Sequence, residues 1–255
     1  MRESELQLSF ALNEKKTDIF LANIDRFQLI LFFKELSTYP VISENIFYKT
    51  FFRHTFAQHL PVYSPEAKQF NESEREKKRI AVHEVGHAFV NFFLEREKNH
   101  NSELSFLTII NNDKGLGLAW FEQKKNIFMR SDYLGSIYTS VAGRASEQEI
   151  LKKNINFGAC TDFKKATVQI KYLINNGLGL QMKILPQSEN QTLSKEIDLM
   201  LDEIYKSMRN FIGKNKKIIM ILAQELLKKE ILFKDEFQKI IETYEKSNSK
   251  IKCTF

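Results

Sequence analysis

The feature that most constrains this chain is His83-Glu84-Val85-Gly86-His87, set in an apolar run from Ile80 to Val90. On a helix, residues four apart lie one turn apart on the same face, so His83 and His87 present two imidazoles side by side. Two imidazoles at that spacing can share one zinc ion. Glu84 follows the first histidine, where its carboxylate can take a proton from a water. This HExxH pattern is the arrangement zinc peptidases use. It predicts a helix and a metal, with Glu84 as general base.

A catalytic zinc needs a third protein ligand and an open position. The motif supplies two ligands, so the rest of the chain must supply the third. The 255 residues are 43% apolar and 27% charged, which suits a water-soluble globular protein of one large or two small domains. The +6 charge is interspersed with acids, so no basic stripe points to nucleic acid. Cys160 and Cys253 make no disulfide framework, and a reducing cytoplasm is the expected setting. The most apolar early run, Ile19 to Phe33, is broken by Asp25 and Arg26, and no membrane span is expected. The start, Met1-Arg2-Glu3-Ser4-Glu5, does not read as a secretory signal.

The periodicity predicts a mainly α protein with one small β-hairpin. Helical spacing runs through Asp18–Leu36 and Ser43–Leu60, a helical extension whose His54 and His59 read as packing or surface residues; Pro61 and Pro65 then mark a linker. Ser73-Glu74-Arg75-Glu76 is a capping box that opens the motif helix, which should reach about Glu97. Leu104–Ile110 and Leu116–Phe121 read as paired strands around a turn at Asn111–Gly115. An edge strand beside the metal would pair with a substrate backbone, and Gly117 would let that backbone approach; alternatively the hairpin only packs on the helices. A helix from Ser131 to Leu151 follows, and Glu147 on it either orients a ligand histidine or sits solvated at the surface. From the residues alone, Asp162 reads as the N-cap of a helix that stops at Asn175-Asn176-Gly177. Helices over Ser194–Phe211, Lys214–Lys229 and Asp235–Lys246 complete the chain.

Four segments in order carry a resemblance: Glu76–Ala88, Gly115-Leu116-Gly117, Gly143-Arg144-Ala145-Ser146-Glu147 and Gly158–Thr167. They resemble the peptidase domain of the FtsH family, the M41 membrane-anchored, ATP-dependent zinc proteases. The resemblance implies a domain over residues 71–246, after an extension at 1–70 and before a frayed tail at 247–255. It places the third zinc ligand on Asp162 and the family's glutamate on Glu147. It implies an endopeptidase acting on polypeptide substrates in unfolded or flexible form. In these 255 residues there is no Gly-x-x-x-x-Gly-Lys-Ser/Thr loop, and residues 1–70 resemble neither the family's ATPase module nor its membrane helices. Cleavage independent of ATP is therefore the expectation for this chain. A homo-oligomer, a subunit served by a separate ATPase and a non-catalytic zinc-containing adaptor remain open alternatives. A complete HExxH argues against the last, because a structural zinc has no use for Glu84.

Overall fold

The computed structural model describes residues 73–98, 100–110, 116–124, 126–152, 159–180 and 190–253, with short runs between residues 29 and 51. The turn at 111–115, His54, His59 and the proline pair lie outside the described residues, as does most of the Asp18–Leu36 periodicity.

Helix α1 spans Glu74–Lys98. Its start is fixed by the capping box: the Ser73 backbone N–H and hydroxyl both donate to Glu76, at 2.8 and 2.7 Å, and the Glu76 N–H donates back to the Ser73 hydroxyl at 3.3 Å. From Ala81 to Leu94 nearly every residue is buried. A helix covered on all sides is the centre of a fold, and three elements supply the cover. They are α2 (Arg130–Ser146), α5 (Lys216–Lys229) and strand β1 (Ser102–Thr108). Helix α3 (Cys160–Asn175) packs on α2, and α4 (Asn190–Lys214) closes over both. As Asn175-Asn176-Gly177 leads one to expect, α3 stops where Gly177 turns left-handed, at φ 72°; its N–H donates to the Ile174 carbonyl at 3.0 Å and Leu178 donates to Leu173 at 2.8 Å. Beyond Ser146 the α2 backbone widens into a π-helical turn, Glu147–Leu151, ended by left-handed Lys152.

The fold is mainly α, and its sheet is one strand larger than expected. β2 (Leu118–Gln123) and β3 (Ile231–Phe233) flank β1 in the order β2-β1-β3, all antiparallel. Ile231-Leu232-Phe233 sits between α5 and α6 (Lys234–Ser247), where three apolar residues blend into the neighbouring helical patterns. β1 pairs Leu104 with Phe121 and Phe106 with Trp120, leaving Ser105 as a bulge. The extra residue brings Leu104 and Leu107 onto one face, against the helical core, with Leu232 beside them. Phe106, Ile231 and Phe233 face the other way. There they meet an aromatic layer from the N-terminal region, including Phe32, Phe47, Tyr48 and Phe51. Phe32 stacks on Phe51 at 4.6 Å, and Tyr48 meets Phe233 edge-on at 5.2 Å.

The C-terminal end departs from the frayed tail that sequence suggests. Ile251 and Cys253 are buried. Arg96 donates to the Ile251 carbonyl at 2.8 Å, and the Cys253 N–H donates to Glu97 at 2.7 Å, so the segment is tied to the last turn of α1. Among the described residues, no helix is long and apolar enough to cross a membrane.

Candidate active site

His83 and His87 lie on the α1 face turned toward α2 and α3, and α3 brings Asp162 to them in its first turn. The His83 and His87 Nε2 atoms are 2.9 Å apart; Asp162 Oδ2 is 3.2 Å from the first and 3.6 Å from the second. Ligand atoms about 2.0–2.1 Å from one tetrahedral ion stand about 3.3 Å apart, so the three atoms fit a single metal. Among the described residues they form the one group of three or more His, Cys, Asp or Glu side chains able to hold an ion.

The imidazoles are held from behind. His83 Nδ1 lies 2.8 Å from Glu147 Oε1, and the other Glu147 oxygen accepts from Arg79 at 3.2 Å. His87 Nδ1 donates to the Thr139 backbone carbonyl at 2.6 Å. With each Nδ1 engaged by an oxygen acceptor, each Nε2 lone pair is aimed at the shared point. Glu147, half of an open choice in the sequence, is buried at 6% exposure. Gly143 explains how α2 passes so close: a Cβ there would stand 2.5 Å from His87 Nε2 and 2.7 Å from His83 Nε2. Only a residue without a side chain leaves that space clear.

The electrostatics of the cluster are set by its acids. Burial pulls the His83 imidazole down, but hydrogen bonds to Asp162 and Glu147, with the nearby Glu84 charge, outweigh it and push His83 up to about 10. Burial pushes the Asp162 carboxyl up, yet its two histidine partners hold it well below the usual carboxylate range. The acids around the imidazoles favour positive charge at this point. Burial raises Glu84, against the pull of both histidines. A carboxylate moved up toward neutrality suits a proton acceptor.

β2 lies at the sheet edge and lines the cleft with Gly117, Leu118, Ala119 and Phe121. The Ala119 N–H donates to Glu84. At Gly117 a Cβ would meet Ile80 at 2.6 Å and Glu84 Oε1 at 2.8 Å, so the absent side chain is what seats this backbone on Glu84. The cleft encloses about 610 Å³ between α1, β2, α2 and α3.

The model of peptidase family M41 matches residues 71–240. The chain belongs to peptidase family M41. Among its relatives is the ATP-dependent zinc metalloprotease FtsH of Karelsulcia muelleri (strain DMIN), 29% identical over 196 residues, or 69% of this chain and 31% of the relative. The FtsH of Mycoplasma genitalium is 29% identical over 195 residues, covering 69% and 27%, and that of Parabacteroides distasonis 28% over 212 residues, covering 71% and 30%. The chain thus spans about 30% of the length of these relatives.

In this M41 chain the sequence motif leaves three contributors unmarked. Arg79 stands one turn before His83, a spacing that could have placed it in the same row. Thr139 acts through its carbonyl, which carries no residue signature. Gly143 acts by having no side chain, inside a segment that sequence marks only as small.

Proposed function

We propose that this chain is a zinc-dependent metalloendopeptidase domain, acting on polypeptides that present an extended segment. The observation that carries the reading is the convergence of His83, His87 and Asp162 at single-ion spacing beside a buried Glu84, at the foot of an edge strand. The relatives' name, zinc metalloprotease, supports zinc as the ion. Zinc held by these three residues supplies Lewis acidity, acidifying water and polarising the carbonyl to be attacked.

The chain's own residues do the rest. Glu84 takes the proton of the attacking water and returns it to the leaving amine, and burial, which raises its carboxyl, favours the first transfer. Glu147 and the Thr139 carbonyl fix the two imidazoles, and Arg79 fixes Glu147. β2 offers backbone groups to an extended substrate, with Gly117 setting how closely the strand rides over Glu84. The domain is taken as residues 71–246 after an N-terminal extension, residues 1–70, of which Phe32, Phe47, Tyr48 and Phe51 lie on the far side of its sheet.

No phosphate-binding loop occurs in the 255 residues, so cleavage by this chain requires no ATP and is confined to unfolded or flexible substrates. The test is digestion of permanently unfolded casein with and without a zinc chelator, alongside Glu84→Gln. Chelation should abolish cleavage. Glu84→Gln should retain zinc and fold while losing activity by about a hundredfold or more. Cleavage at the parent rate would remove Glu84 as base. Native-substrate degradation that appears only with ATP and a cell extract would favour the second reading, a subunit served by a separate ATPase, as the relatives' ATP-dependent name suggests.

A further inference from the structure

The cleft has two unlike ends. At the end holding the histidines, His83, His87, Asp162, Glu147 and Arg79 engage one another or a backbone carbonyl. One turn beyond His87, about 6 Å along α1, lies Asn91, and the cleft continues there under α2. This end is polar, buried and incompletely paired. The His100 side chain is 4% exposed; its Nδ1 faces Asp132, and its Nε2 has no hydrogen-bond partner among the described residues. Its nearest acid, Asp132 Oδ1, stands 3.6 Å away and already accepts from the Asn101 N–H at 3.0 Å. Asn91 donates to Ser102 at 3.1 Å and Gln169 to Ser136 at 2.8 Å, while the oxygens Asn91 Oδ1 and Gln169 Oε1 have no donor. The Thr139 hydroxyl is likewise unpaired, although its carbonyl serves His87.

Buried polar groups are normally paired, and several unpaired ones lining one cavity mark a place for a guest. We propose that this end of the cleft is a specificity subsite for a carboxamide side chain, glutamine or asparagine, on a substrate residue next to the cleaved bond. The proposal rests on the peptidase reading and goes beyond it by naming what the cleft selects.

Three features choose the carboxamide. The lining offers oxygens that accept and hydroxyl or imidazole groups that donate, and an amide supplies both complements. An apolar guest would leave the same groups buried and unpaired; sites built to hydrogen-bond a substrate discriminate strongly against analogues lacking the group. The carboxylate facing this end, Asp132, is already engaged by His100 and two backbone N–H groups, so a cationic guest gains little. Burial pushes the His100 imidazole below its ordinary value, against the pull of Asp132, and both Asp132 oxygens are occupied by the Asn101 and Met129 N–H groups. A neutral histidine also keeps one donor and one acceptor nitrogen, as amide recognition requires.

The experiment is digestion of a randomised peptide library by the zinc-loaded full chain, with cleavage sites read by mass spectrometry. Glutamine or asparagine should be enriched about tenfold or more over leucine at one fixed position beside the cleaved bond. Gln169→Leu, on the half-exposed wall, and Asn91→Leu should each retain zinc and cleavage while moving that preference to apolar residues. Cleavage with an apolar preference, or with none, overturns the subsite and leaves the peptidase reading standing. If no peptide is cleaved, the peptidase reading fails instead. The subsite is then judged by equilibrium binding of matched glutamine- and leucine-containing peptides to the same protein: tighter binding of the glutamine peptide, abolished by Gln169→Leu, supports it, and equal binding overturns it.

Discussion

The two faces of the three-stranded sheet are built for different work. On one face Leu104, Leu107 and Leu232 press against the helices that carry His83, His87 and Asp162. On the other, Phe106, Ile231 and Phe233 meet the aromatic rings of the N-terminal layer. The first face supports side chains with directional partners, each imidazole braced by an acceptor at 2.8 Å or less. The second consists of rings in stacked and edge-on contact, which hold by area and dispersion. Geometry that must be right within a fraction of an ångström sits on the side of rigid helices. The layer that mainly needs volume sits on the face turned away from those side chains.

Variants on the two faces can break this contrast. The largest effect on the metal should come from Gly143→Ala and Asp162→Ala. The first places a methyl group where both Nε2 atoms point, and the second removes a ligand atom. Each should lower zinc affinity by tenfold or more, read by competition with a chromophoric chelator; Asp162 lies inside the first turn of α3, whose N-cap is Ala159, so its loss removes no cap. Full zinc retention in both would place the ion elsewhere. A smaller loss, about tenfold in zinc affinity, is expected for Glu147→Gln, because it weakens the acceptor behind His83 without touching the ion. The smallest effect on zinc should be none, for Phe51→Ala on the aromatic face. There the melting temperature should fall in step with about 3–5 kcal/mol of lost packing while zinc affinity stays unchanged. A drop in affinity along with stability would show that the faces are coupled.

How much of this was legible follows from distance along the chain. The motif helix and its capping box were, because His83 to His87 and Ser73 to Glu76 are local relations fixed by helix geometry. The Asp162 position was not, since 79 residues separate it from His83; its residues alone suggest a cap, and only the family resemblance pointed to the metal. Glu147 remained undecided because burial depends on where Arg79, 68 residues away, ends up. The third strand was hidden by its brevity: three residues are too few to show a period of two between helices. The buried C-terminal end was hidden because its partners, Arg96 and Glu97, lie more than 150 residues earlier. The unpaired polar end of the cleft left no trace in sequence, since His100 and Gln169 look like ordinary surface residues until the fold encloses them.

The bulge at Ser105 bears on how this domain can change length. Side chains alternate along a strand, so losing one residue ordinarily turns everything beyond it inside out. Here Leu104 and Ser105 together stand opposite a single partner position, and Phe106 resumes the alternation as though Ser105 had not been counted. Removing Ser105 keeps Leu104 and Leu107 toward the helices and Phe106 toward the aromatic rings. Removing Leu107 sends the rest of the strand to the wrong sides. Ser105 is therefore the point in this strand at which a gap or a spare residue is tolerated, and one codon more or less there changes the strand's curvature while leaving its two allegiances intact.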